Sequence, residues 1–290
     1  MSNLTYPKKI KKKIIVTPQM KRIQNGILSC HNGNPLLVIS GSSRLGKTST
    51  AMQMTQELNN MYDPDNPDAF RALHYEVGEI ASWSGQEQKK GIRSLYHAAI
   101  GRLDEAIYRE SPPEDLAKQL VYGLQRKRIE MIFIDEAGNI SSAAIRGMVL
   151  VRDVAEILGH HLTLVFIGMD DLPVKLCSVP QIEKRIHRWF FFKEYTVNEL
   201  YILLKELHPH FAEMDPQKIS HWEQVEFIHE KFGGVPGEVL PFIEQVDYRA
   251  KQVQRVIDYK LLVTTYKSLQ MPKQAALSGS REWTKPKKAA

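Results

Sequence analysis

The sequence predicts an α/β protein: a parallel sheet of five strands, followed by a smaller all-helical domain. Three observations carry this. Five short apolar runs recur, at 35–40, 72–77, 130–134, 162–167 and 189–193, with the continuous hydrophobicity that strands covered on both faces require. Segments of helical spacing separate them, which makes a parallel sheet the economical arrangement. After Tyr195 no further strand pattern occurs.

Taken in order, a basic arm runs to about residue 18. Met20, Ile23, Ile27 and Leu28 then have the spacing of a short amphipathic helix over Pro18–Cys30, before the turn-forming His31-Asn32-Gly33-Asn34. The first strand, Pro35 to Ser40, leads into a loop from Gly41 to Thr48 and a helix from Ser49 to Met61. Asp63 to Pro67 is a loop by composition. The second strand is followed by a long helix from Gly91 to Tyr108, and Pro112-Pro113 starts another that continues to Leu124–Arg128. The third strand is followed by a helix from Ser141 to Leu158, and a helix from Pro180 to Arg188 leads from the fourth strand into the fifth. Helices at Val197–Leu207, Pro216–Lys231 and Pro236–Tyr248, with a continuation over Gln252–Tyr266, make up the second domain. The expected division is an arm at 1–18, the α/β domain at 19–194, a helical domain at 195–268 and a flexible basic tail at 269–290.

The 290 residues carry a net charge of +6, unevenly spread. Residues 1–34 contribute +7 and residues 267–290 contribute +5, so the segment between them is acidic by 6 charges. Basic ends of this kind suit either salt-sensitive, sequence-indifferent contact with nucleic acid phosphates or plain solvation. Cys30 and Cys177, the two cysteines, are too few for a disulfide scaffold or a cysteine-only zinc site and read as buried thiols. His160 and His161 read as loop or helix-end residues. No run approaches the roughly 20 apolar residues of a membrane-spanning helix, so the expected location is the cytoplasm, with no membrane partner.

Gly41-Ser42-Ser43-Arg44-Leu45-Gly46-Lys47-Thr48, between an apolar strand and a helix that Ser49 opens, fulfils the phosphate-binding loop pattern in the context it requires. Glycines at 41 and 46 permit backbone conformations and approaches that a Cβ hinders. Loop and helix-terminal amides can then face phosphates, Lys47 can bring charge to the β and γ phosphates, and the Thr48 hydroxyl can ligate magnesium. The third strand ends in Asp135-Glu136, at the strand end where open parallel sheets bind ligands. Asp135 is the candidate for the magnesium shell, and Glu136 for orienting or activating the attacking water. The expected cofactors are therefore ATP and Mg2+. Asp170, at the end of the fourth strand, can polarise that water or sense the γ phosphate; a plain loop acid is an equal reading. Arg185 and Arg188, three apart on the expected helix, share a face. Either they are solvated, or one of them, Arg185 for preference, reaches the γ phosphate held by a neighbouring subunit.

This ordered set of Gly41–Thr48, Ile134-Asp135-Glu136, the fourth-strand end and the paired arginines resembles the AAA+ ATPases. The compact ATPase module, the Ile134-Asp135-Glu136-Ala137 strand end and Val165-Phe166-Ile167-Gly168 followed by Arg185 and Arg188 are similar to the TnsC/TniB/MuB group. These are transposition regulators of Tn7-like and Mu-like elements, some of them CRISPR-associated. The likeness implies an ATPase that forms a homo-oligomeric ring or filament on double-stranded DNA, recruits or activates a transposase, meets a target-selection protein and disassembles on hydrolysis. It also implies DNA contacts from Lys89, Lys90 and Arg93, between the second and third strands, with Arg146 as a further candidate; solvated surface charge is the alternative for each. The AAA+ lid commonly supplies an arginine after a glycine-containing turn. Here Gly237 of Gly233-Gly234-Val235-Pro236-Gly237-Glu238 stands at about that position, which throws more weight on a neighbour. A replication-type helicase loader or initiator is the nearest alternative, and a non-DNA signalling ATPase the more distant one.

Overall fold

The computed structural model describes residues 15–77, 91–103, 111–215 and 217–278. Two compact units divide the chain, Met1–Lys193 and Glu194–Ala290.

In the first unit, α1 (Pro18–Cys30) is capped by Thr17, whose hydroxyl accepts from the Met20 N–H, with Pro18 in the first turn where its missing donor does no harm. There follow β1 (Leu36–Ser40), α2 (Lys47–Asn60), β2 (Arg71–Glu76), α3 (Gly91–Arg102), α4 (Pro113–Arg126), β3 (Ile129–Asp135), α5 (Ser142–Ile157), β4 (Thr163–Ile167), α6 (Leu172–Cys177), α7 (Pro180–Glu183) and β5 (Ile186–Phe191). The five strands form one sheet in the order β2-β3-β4-β1-β5, and every pairing is parallel. Strands β1 and β4 are buried at all five positions, as interior strands covered on both faces must be. The edge strands leave Arg71, His187 and Arg188 exposed. One face of the sheet packs through Ile132, Leu164 and Phe166 against α3, α4 and α5, whose Tyr96, Leu120 and Met148 are fully buried.

The expected α/β architecture is present, with local corrections. Helix α2 starts at Lys47, because Gly46 (φ 103°) is the N-cap and Lys47 and Thr48 join the first turn. The expected helix over 180–188 is only the single turn α7; the chain pairs with β1 from Ile186 onward, and that ladder takes up the backbone through Arg188. The six-residue α6 is too short to announce itself by periodicity. Cys30 is half-buried and Cys177 exposed, so neither is the buried thiol expected.

At the edge of the sheet where the strands begin, polar groups are stitched together. His31 Nδ1 pairs with Thr163 Oγ1 at 2.8 Å, its Nε2 lies 3.5 Å from Glu130, and its ring stacks on Phe70. The His160 ring donates to the Ile129 carbonyl, and the His161 ring to that of His31. Burial pushes the His160 imidazole below its ordinary pKa. Burial raises that of Glu130, but hydrogen bonding from His31 and the charges of the three histidines outweigh it and hold the carboxyl below its usual value. Glu130 is also the bulged residue of β3, between the pairs Arg71↔Ile129 and Ala72↔Met131.

The second unit holds α8 (Val197–Leu207), α9 (Pro209–Ala212), α10 (Ile219–Phe232), α11 (Pro236–Gln252) and α12 (Tyr259–Ser278), with no strand among its described residues. Thr196 and Glu199 form a reciprocal capping box at the start of α8. Phe227, Phe232, Phe242 and Tyr266 interlock as a ring cluster between α10, α11 and α12. Helix α12 continues to Ser278, past residue 268 where a flexible tail was expected to begin. Leu261, Leu262 and Thr265 anchor it by burial. Among the described residues, no helix is long and apolar enough to cross a membrane.

Candidate active site

Because β4 lies between β1 and β3, the loops that follow these three strands emerge side by side at the carboxyl edge of the sheet. The three loops bring together the Gly41–Thr48 segment, Asp135-Glu136 and Asp170.

The Gly41–Gly46 loop is shaped by close approach and by backbone conformation. A Cβ on Gly41 (φ 150°) would lie 2.5 Å from the carbonyl oxygen of Phe192 and 2.9 Å from its Cβ, so no side chain fits. Arg44 sits in the left-handed region at φ 62°. Leu45 is fully buried and pins the loop, while Ser43, Arg44 and Thr48 are exposed and Ser42, Gly46 and Ser49 partly so. Lys47, only 8% exposed, donates through Nζ to the carbonyls of Gly41 (2.7 Å) and Ser42 (2.6 Å). Burial lowers its pKa, opposed by the carboxylates of Asp135 and Asp170. An ammonium resting on neutral carbonyls can exchange them for phosphate oxygens, which are stronger, charged acceptors.

Asp135 is 3% exposed at the end of β3. Its Oδ1 accepts from the Glu136 N–H at 2.9 Å, and His74 Nε2 approaches Oδ2 at 3.5 Å. Burial raises its pKa, but hydrogen bonds from His74, Thr48 and the Glu136 amide outweigh this, so the carboxyl lies below its ordinary value and remains ionised. Thr48 and Asp135 are thus adjacent. A hydroxyl and one carboxylate, completed by phosphate oxygens and water, suit magnesium, which seldom uses an all-protein cage. Among the described residues no group of three or more His, Cys, Asp or Glu could hold a metal.

Glu136 is exposed and left-handed (φ 55°, ψ 33°), an unfavourable conformation for a residue with a Cβ. Its Oε2 accepts from Asn139 Nδ2 at 3.0 Å, and its carbonyl accepts from the Asn139 N–H. Lys175, on α6, donates to the Gly138 carbonyl and braces this turn. Asp170 accepts from the Ser42 hydroxyl at 2.9 Å, tying the β4 loop to the β1 loop.

His74, Asn139 and Lys175 went unread in the sequence. The sequence does not single out His74: it shares a face of β2 with Glu76, and only the register of β2 against β3, which pairs Glu76 with Asp135, brings it to the site.

Arg185 and Arg188 do not share a helix face. Arg185 lies in the turn between α7 and β5, where Asp153 of α5 holds it, and Arg188 is within β5, 5.3 Å from the Phe190 ring centroid. Since Ile186 pairs with Leu36, the first residue of β1, Arg185 sits at the edge of the sheet opposite the Gly41–Thr48 loop. Arg93 and Arg146 are exposed on α3 and α5, which meet one residue away from each. A Cβ on Gly147 would lie 2.2 Å from Ile92 Cδ1, and the Tyr96 hydroxyl donates to the Gly147 carbonyl at 2.7 Å. Lys89 and Lys90 lie outside the described residues.

Solved structures similar to this chain include the Aeropyrum pernix ORC2 protein in ADPNP-ADP complexes (16% identity, TM-score 0.59, covering 85% of this chain and 65% of that one). Drosophila ORC bound to DNA is similar over 98% of this chain and 73% of that one (16% identity, TM-score 0.60). Thermotoga maritima RuvB is similar over 88% of this chain and 70% of that one (15% identity, TM-score 0.55). At these identities the likeness establishes the fold. In those complexes this chain spans less than two thirds of the length of the ORC2 chain. No curated protein sequence matches it. The family model described as "AAA domain" matches residues 30–176, half of the chain and all of the loops just described except the β5 end, and the chain therefore belongs to the AAA domain family of ATP-hydrolysing P-loop proteins.

Proposed function

We propose that this chain is an ATP-dependent assembly switch on double-stranded DNA, whose subunits complete one another's active sites. The observation that carries the reading is the position of Arg185. It is 44% exposed, and the length of β1 separates it from the phosphate-binding loop of its own subunit. At roughly 3.3 Å per strand residue, five residues put more than about 13 Å between the two ends, beyond reach for a charge that must touch a γ phosphate. An arginine so placed serves a neighbour.

Within one subunit, Lys47 and the loop amides bind the β and γ phosphates, and the Ser42–Asp170 hydrogen bond holds the β4 loop against the phosphate-binding loop. Thr48 and Asp135 hold Mg2+, which when bound offsets charge on the phosphates. Glu136 orients the attacking water and takes up its proton, exchanging Asn139 for that water. Arg188, paired into β5 and lying against Phe190, is the weaker candidate for the trans role.

The DNA part of the reading rests on Arg93 and Arg146, which are exposed on adjoining helices, on the expectation for Lys89 and Lys90, and on solved neighbours such as an ORC described as bound to DNA. Contacts of this kind address the phosphate backbone with little base preference. The neighbours, among them Pyrobaculum aerophilum Cdc6p and Thermotoga maritima DnaA domain III, favour an initiator- or loader-type role. The motif likeness to TnsC, TniB and MuB favours a second role, a regulator that recruits a transposase to its target. Electron microscopy of the protein with duplex DNA and a slowly hydrolysed ATP analogue tests the common core. DNA-dependent rings or helices support it, and a monomer indifferent to DNA overturns it. Binding of the assembled form to a transposase or to a replicative helicase then separates the two roles.

A further inference from the structure

Asp153 bridges two arginines. Its Oδ2 accepts from Arg185 Nη1, and its Oδ1 accepts at 3.0 Å from Nη2 of Arg152, a side chain only 14% exposed. Among the described residues, Arg152 Nε is buried without a hydrogen-bond partner, and the Asp153 carboxylate accepts from the same guanidinium. The result is a graded triad: Arg152 largely buried, Asp153 at 30% exposure and Arg185 at 44%. Helix α5 supplies the first two, and its fully buried Met148, Val151 and Ala155 fix it in the core.

We propose that Asp153 is a positioning residue for hydrolysis in trans. It holds the Arg185 guanidinium in one orientation on the subunit surface, so that the remaining N–H groups face the γ phosphate bound by the next subunit. This rests on the reading of Arg185 as the trans-acting arginine. A free arginine on a surface turn samples many rotamers and must be ordered each time it engages. A carboxylate anchored by a second, mostly buried arginine removes that freedom before the subunits meet, which is pre-organisation in the transition state rather than added affinity for ATP. The carboxylate occupies Nη1 only, and a guanidinium has five N–H donors.

The test is steady-state hydrolysis by the full-length chain with duplex DNA and saturating ATP, comparing Asp153→Asn, Asp153→Glu, Arg185→Ala and the double variant D153N/R185A. The expected result is a fall in kcat on the order of tenfold for D153N with KM for ATP unchanged. D153E, which retains the charge beside Arg152 but displaces the carboxylate, falls part of the way and decides the point should D153N melt early. In the R185A background D153N adds nothing, because its effect runs through Arg185. The inference is overturned by normal kcat in D153N and D153E, by a raised KM, or by a further fall in the double variant, all with R185A itself impaired. If R185A alone hydrolyses normally, the trans-arginine reading fails first and the inference with it.

Discussion

The two edges of the sheet are both rich in polar side chains, yet they are built in opposite ways. Where the strands begin, His31, His160, His161, Glu130 and Thr163 meet one another or backbone carbonyls, and Phe70 covers His31. Where the strands end, Arg44 and Glu136 are left-handed, Glu136 and Thr48 are exposed, and Lys47 rests on loop carbonyls that it can exchange. The first edge uses polar groups to satisfy burial, and the second leaves them exposed or resting on partners that a ligand can replace. Polar content therefore does not distinguish a site from a structural cluster, and neither does backbone strain, since Asn34 and Arg128 at the first edge are left-handed as well. Exposure and exchangeable partners do.

The largest expected effect falls on one edge alone. Glu136→Gln should lower kcat by roughly 10²- to 10⁴-fold while nucleotide binding and thermal stability stay unchanged, as read by turnover, nucleotide titration and melting. A fall in stability of the same variant would blur the division. Gly41→Ala sharpens the contrast from the other side, because its methyl meets the Phe192 carbonyl at 2.5 Å. It should lower stability by about 1–3 kcal/mol and weaken ATP binding together, checked by denaturant unfolding and titration.

The histidine edge should show up as pH-dependent stability. His160 has a folded pKa held below the ordinary 6.5, so below that pH the unfolded chain binds the proton first. Its contribution is whole above 6.5 and is lost as pH falls through that value toward the folded one. Glu130, held below 4.5, acts in the same direction at lower pH. Melting temperature should therefore drop between pH 7 and pH 5.5, and His160→Gln should flatten that drop without altering kcat at pH 7.5. The smallest effects belong to Arg93→Ala and Arg146→Ala. Each should reduce the slope of log affinity against log salt for duplex DNA by about 1, measured by titration at several ionic strengths.

How much of this was legible in the sequence follows from the same physics. β1 and β3 could be read because interior strands are apolar throughout, and the loop and acids that follow them are spaced by strand geometry. β5 was misjudged at its start because an edge strand that exposes His187 and Arg188 lacks that signature. The order β2-β3-β4-β1-β5, which makes neighbours of Lys47, Asp135 and Asp170, is a property of pairing between distant segments and leaves no periodic trace. His74, Asn139 and Asp153 were invisible for a related reason. Each matters only through a partner that folding delivers, and a lone polar residue on a strand, turn or helix looks ordinary.

If each active site is shared between subunits, mixing two inactive subunits restores it. Glu136→Gln and Arg185→Ala proteins, each nearly inactive alone, are combined with DNA and ATP, and phosphate release is followed. Hydrolysis should return on mixing, because an R185A subunit with an intact Glu136 is completed by the Arg185 of an E136Q neighbour. A mixture no more active than its two components would contradict it.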